Sequence, residues 1–160
     1  NQVLIGLALF LTFFIMKPVY TDIYQQAIEP FDRQEITQSE VFDRSERRIK
    51  EFMMLQTREK DIQLFAEASG AKEKYETSDE VPLTVMVPAF IISELRTAFS
   101  IGFLIFIPFL IIDLVVSSIL MSMGMMMLSP IMISLPFKIL LFVLVDGWYL
   151  VVESLIKSFQ

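Results

Sequence analysis

Three long apolar runs, at positions 3–16, 88–128 and 131–156, dictate most of what this 160-residue chain can become. A water-soluble monomer tolerates exposed apolar patches of only a few hundred Å². About 20 consecutive apolar residues are enough to cross a bilayer as a helix. The second and third runs reach that length, and an upstream extension of the first would let it do so too. The chain starts at Asn1 rather than Met, with no basic signal-peptide region ahead of the first run, so it reads as a fragment of a longer protein. In lipid every backbone N–H and C=O needs an internal partner, which a helix supplies. The expectation is an all-α membrane protein of long kinked helical hairpins, with a soluble helical insert.

That insert carries the charge. Residues 20–82 hold 15 Asp/Glu against 9 Lys/Arg, which accounts for the whole net charge of −6. Basic residues concentrate on cytoplasmic loops, so an acidic segment favours the extracytoplasmic side. No basic run offers a footprint for phosphates, and nucleic acid is not an expected partner. Cys and His are both absent. Their absence removes thiol chemistry, the commonest general base and the commonest metal ligand. No enzymatic activity, cofactor or metal is expected. Thr37-Gln38-Ser39-Glu40 has the spacing of a capping box, and neither Gly nor Pro interrupts residues 37–69. A helical region is predicted there, with Ile49, Phe52, Met53, Leu55, Ile62, Leu64 and Phe65 on its apolar side and Ser69-Gly70 at its end.

Prolines and glycines divide the remainder. Lys17-Pro18 is expected to close the first apolar helix, giving segments at 1–18 and 19–82. The first long arm is predicted over 83–123, kinked or broken near Pro108, where the ring removes a backbone donor. Gly124, three Met and Ser129-Pro130 mark a turn, so 124–130 forms a Met-rich loop and 131–157 the second arm. Trp148 and Tyr149 suit an interfacial belt or packing between subunits.

Charges inside these arms need an explanation. A charge at the bilayer centre costs at least about 2.5–3.5 kcal/mol on insertion scales, so it is normally paired or faces a wet path. Asp113 and Lys138 lie equally far, about 12 residues, on either side of the Met-rich turn. Two residues equidistant from a hairpin turn share a height on facing arms, and an Asp113–Lys138 ion pair is predicted. Asp146 follows Lys138 by two helical turns, too far for a direct bond along one helix, and is a candidate subunit contact. Glu94 and Arg96 are two apart and point to different sides, which favours contacts to neighbouring subunits over pairing with each other.

The run from Met121 to Met127 holds five methionines. Methionine is unbranched and polarizable, and it adapts to surfaces of changing shape. At a hairpin tip repeated by symmetry, Met123, Met125, Met126 and Met127 with Gly124 would form a deformable channel seal. A hydrophobic turn packed in a core is the plainer reading. Thioether binding of a soft metal finds no Cys or His to support it.

Several strings carry a family likeness. Residues 88–103 (Pro-Ala-Phe-Ile-Ile-Ser-Glu-Leu-Arg-Thr-Ala-Phe-Ser-Ile-Gly-Phe) and 135–148 (Leu-Pro-Phe-Lys-Ile-Leu-Leu-Phe-Val-Leu-Val-Asp-Gly-Trp) resemble the two signatures of the FliP/SctR export-gate family. Residues 1–14, 56–61 and 107–113 match as well. The chain departs from the pattern at Ser100, where a long polar residue is usual, and at Ser129-Pro130, where flagellar members often carry Pro-Pro. The tail Asp-Gly-Trp-Tyr-Leu-Val-Val is closer to flagellar members from Gram-positive bacteria than to the virulence-type SctR branch.

The resemblance implies a non-enzymatic subunit in a ring of about five copies, wound with FliQ and FliR into a gate. FlhA and FlhB are implied as further partners, and unfolded flagellar proteins as the cargo. It also implies a bacterial inner-membrane location in the flagellar basal body, an upstream signal peptide and a further apolar segment. Much apolar surface would then meet neighbouring subunits rather than lipid. An ion or proton transporter using Asp113, Lys138 and Asp146 is the competing reading, but transporter folds carry internal repeats and none is visible here. A membrane scaffold without a pore is a third.

Overall fold

A computed structural model describes residues 1–70, 75, 77, 79–125 and 127–159. Every regular element among them is helical. α1 (Gln2–Ile23) passes through a π-helical turn (Tyr24–Ile28) into α2 (Glu29–Asp32), and α3 (Gln38–Gln56) and α4 (Glu59–Ala68) follow. α5 (Leu83–Ser122), α6 (Pro130–Leu144) and α7 (Gly147–Lys157) complete the chain. Among the described residues two stretches are long and apolar enough to cross a membrane, Gln2–Asp32 and Leu83–Ser122, and α6 with α7 is a third candidate bent by 61°. The protein is an all-α membrane protein. It divides into two compact units, Asn1–Arg96 and Thr97–Gln160, with α5 contributing its first turns to one and the rest to the other.

Two expected breaks do not occur. Helix continues through Pro18 to Ile23 and on to Asp32, and α5 runs unbroken through Pro108. A proline inside a helix costs about 3 kcal/mol and one hydrogen bond. A break in an apolar environment would leave several backbone groups unpaired, each costing several kcal/mol. Continuing the helix is therefore the cheaper outcome. The helix that starts at Gln2 therefore runs past residue 18 into the polar segment, as far as Asp32.

In the first unit, the capping box forms as its spacing predicts. The Thr37 backbone N–H donates to Glu40 Oε2 at 2.7 Å, and the Glu40 N–H donates to Thr37 Oγ1 at 3.4 Å. These bonds, the Thr37 backbone bond first, hold the Glu40 carboxyl below the usual carboxylate range. Arg48 Nε donates to Asp22 at 2.7 Å and Arg44 to the Gln26 carbonyl at 2.9 Å, fastening α3 beside the first helix. The helical region expected over 37–69 forms as two helices, parted at Thr57-Arg58, both extended. The Thr57 hydroxyl bonds back to the Met53 carbonyl at 2.6 Å, and the Arg58 N–H leaves the helix to reach Ser93 Oγ at 3.1 Å. Gly70 adopts a φ of 84°, the left-handed conformation that suits its place after α4.

The core of this unit gathers Ile62, Ala66, Val81, Val85, Met86 and Ala89, with Met53, Met54, Phe65 and Tyr75 packed against it. Leu55 and Leu64, expected on the same side, stand exposed. The break at Thr57-Arg58 resets the helical phase between α3 and α4, so one continuous apolar stripe does not carry across both.

Candidate functional site

In the second unit α5 and α6 are joined through the Met-rich turn. The α5 end closes as a Schellman motif: Gly124 N–H donates to the Met121 carbonyl at 3.1 Å and Met125 N–H to the Leu120 carbonyl at 3.0 Å. This geometry needs a left-handed residue, and Gly124 takes a φ of 72°. Pro130 opens α6 behind Ser129, where its missing N–H has no helical partner to lose. The turn leaves Met123, Met125 and Met127 exposed. Met126 lies outside the described residues.

Below the tip the hairpin is pinned by polar groups. Lys138 Nζ donates to Asp113 Oδ2 at 2.5 Å, and Ser134 Oγ donates to Asp113 Oδ1 at 2.5 Å. Each carboxylate oxygen thus accepts one hydrogen bond from α6. Ser134 is fully buried, while Asp113 and Lys138 keep 26% and 21% of their side chains exposed. Ser134 is absent from the sequence reading, although its place four residues before Lys138 puts both on one face of α6.

The second arm, expected as one helix over 131–157, ends at Leu144 and restarts at Gly147. Asp146 sits at the bend with a φ of 51°, exposed, in the left-handed conformation that Asp adopts more readily than most residues. Gly147 is buried, and a Cβ added there would fall within the Phe142 ring. That ring meets Trp148 edge-on at 5.5 Å and Phe109 of α5 at 6.3 Å. Trp148 therefore packs within its own chain while keeping half its surface exposed. Glu94 is half-buried and Arg96 exposed, with no ion pair between them among the described residues.

A second polar cluster, in the first unit, also escaped the sequence reading. Asp61, 6% exposed, accepts from Ser93 Oγ and from Arg58 Nη2, both at 2.6 Å. The Ser93 hydroxyl first, and then Arg58, hold the Asp61 carboxyl below the usual range against the opposing effect of burial. Arg58 Nε and Nη1 are buried without an acceptor among the described residues. The signal was the Arg58–Asp61 spacing of three on one helical turn. Ser93, 32 residues further on, gave none.

Residues 1–155 match the FliP family. The chain is 63% identical to the flagellar biosynthetic protein FliP of Bacillus subtilis (strain 168), across 99% of the chain and 72% of that relative. It is 54% identical to the protein of the same name from Pectobacterium carotovorum subsp. carotovorum, across 99% of the chain and 61% of the relative. The corresponding figures for the Aquifex aeolicus (strain VF5) protein are 53%, 100% and 67%. The chain thus spans about two thirds of the length of these relatives. Identity above one half along almost every residue, on a helical membrane chain with both expected signatures, leaves one assignment: this chain belongs to the FliP family.

Proposed function

We propose that this chain is a core subunit of the flagellar type III protein export gate, assembling with copies of itself and with FliQ and FliR around a channel for unfolded flagellar proteins. The observation that carries the reading is the pinned α5–α6 hairpin with exposed methionines at its tip, in a chain of this family. Repeated around a ring, such tips give a constriction that is apolar and deformable. A hydrophobic constriction excludes water and ions by dewetting. Methionine side chains can then part around a passing polypeptide and close behind it. No covalent step is required of the chain. FlhA and FlhB belong to this reading as further partners, in the inner membrane at the basal body.

The extent of exposed apolar surface supports an assembled state. Phe99, Phe103, Leu104, Ile131, Met132, Val143 and Leu144 all stand more than half exposed. Such surface needs lipid or other subunits to cover it. The flagellar branch is favoured over the virulence branch by the names of the three relatives above. A proton relay is disfavoured because Asp113, Lys138 and Ser134 already satisfy one another. Asp146 lies beyond the end of α6, in the exposed left-handed bend, rather than on the helix that carries Lys138.

The test is co-expression of the full-length protein with FliQ and FliR, followed by native mass spectrometry of the detergent complex. A stable multimer containing all three subunits is expected. A monomer that binds neither partner refutes the assignment.

A further inference from the structure

The methionine tip has a reactivity that sealing does not use. Met121, Met123, Met125 and Met127 are 67%, 59%, 40% and 101% exposed, whereas Met86 is 0% exposed in the core of the first unit. The chain contains no cysteine, so thioethers are its softest nucleophiles. Toward a hydroperoxide the step is simple. A sulfur lone pair attacks the nearer peroxide oxygen, the S–O bond forms as the O–O bond breaks, and the proton of the attacked oxygen passes to the departing one. Sulfur is oxidised by two electrons, and hydrogen peroxide is reduced by two and leaves as water. The product sulfoxide is polar and chiral, and methionine sulfoxide reductases reverse it.

We infer that the exposed thioethers of the Met121–Met127 tip are a peroxide-oxidation site, and that their conversion to sulfoxides opens the seal to water and ions. The first half follows from exposure and chemistry alone. The second rests on the reading of the tip as a channel constriction. Four described thioethers within seven positions become polar together, and repetition around a ring multiplies the change. A constriction that stays dry because its lining is apolar loses that property when each lining sulfur carries an oxygen that accepts hydrogen bonds.

The experiment uses membranes carrying the full-length protein in its complex, treated with hydrogen peroxide and sampled over time by peptide mass spectrometry. Met121, Met123, Met125 and Met127 should gain one oxygen at least about tenfold faster than Met86, which must wait for local opening. Equal rates at the tip and at Met86 overturn the site. In parallel, small-ion leak should rise with tip oxidation and fall again when the reductases for both sulfoxide epimers are added. Oxidation without leak, in a complex where deletion of the tip does cause leak, overturns the switch. If deletion of the tip causes no leak either, the constriction reading has failed and the switch falls with it. The relative oxidation rates still decide the site in that case.

Discussion

Replacing Asp61 with alanine should destabilise the Asn1–Arg96 unit by about 2–3 kcal/mol, and by more than replacing either of its partners. The carboxylate is nearly buried and accepts two short bonds, one from Ser93 Oγ and one from Arg58 Nη2. Hydrogen bonds to a charged group are worth roughly 1.5–3 kcal/mol each, and stranding the partner of a buried ion pair costs about 3–5 kcal/mol. Arg58 keeps 32% of its side chain exposed and can turn partly to water, which places the estimate at the lower end.

Ser93→Ala removes one bond to the carboxylate and the acceptor for the Arg58 backbone N–H, for about 2 kcal/mol. Arg58→Ala should cost least, about 1 kcal/mol, because the lost bond to Asp61 is offset by removing two buried guanidinium nitrogens, Nε and Nη1, that have no acceptor among the described residues. Thermal unfolding of the full-length protein in detergent, followed by far-UV circular dichroism, gives the ranking. Asp61→Ala should lower the midpoint by roughly 5–10 °C for a chain of this size.

The pH dependence is a second readout. Because the folded Asp61 carboxyl titrates below its unfolded value, its contribution is fully present above about pH 4 and is lost as pH falls through the lowered folded value. The gap between wild type and Asp61→Ala should therefore stay constant from neutral pH to about pH 5 and narrow only below pH 4. An Arg58→Ala loss as large as that of Asp61→Ala, or a gap that narrows near neutrality, refutes the reasoning.

Gly147→Ala should push the Phe142 ring off its site and disturb the edge contact with Trp148, the chain's single tryptophan, so the emission of Trp148 reports the change directly; adding Phe142→Ala should relieve the clash. Asp113→Ala and Lys138→Ala should each impair assembly or export, with partial recovery in the swap Asp113→Lys with Lys138→Asp, measured by complex yield and flagellin secretion; a swap no better than the single variants would show that Ser134 and local shape matter more than pairing. Replacing Met123, Met125, Met126 and Met127 by glycine should raise small-ion leak without loss of the assembled complex, and unchanged leak in a fully assembled complex removes the tip from the constriction.

Contacts within one helical turn were legible in the sequence. Thr37 and Glu40 recognise each other across three residues, and the capping box forms as spelled. Asp113 and Lys138 are 25 residues apart, yet the turn between them made their meeting readable, because a hairpin pairs residues equidistant from its tip. Ser134 was available by the same logic and was passed over, since a serine in an apolar helix announces nothing by itself. The Ser93–Asp61 bond joins residues 32 apart across a polar stretch whose path no local pattern specifies, so it needed coordinates.

The misplaced breaks have a different origin. Pro18 and Pro108 were read with the rules of helices in water, where a freed carbonyl finds a solvent partner and a break is affordable. In an apolar helix that partner is missing, and the ring is simply accommodated. The bend occurs instead at Asp146-Gly147, where two residues that tolerate unusual backbone positions stand together: one is left-handed, and the other lacks the Cβ that Phe142 would strike. Asp-Gly is a strong turn dipeptide. As a charge, Asp146 calls for a partner on a neighbouring subunit. As a conformation it needs only its neighbour. In apolar sequence, where proline no longer marks the ends of helices, the Asp-Gly pair is the better guide to where a long arm turns.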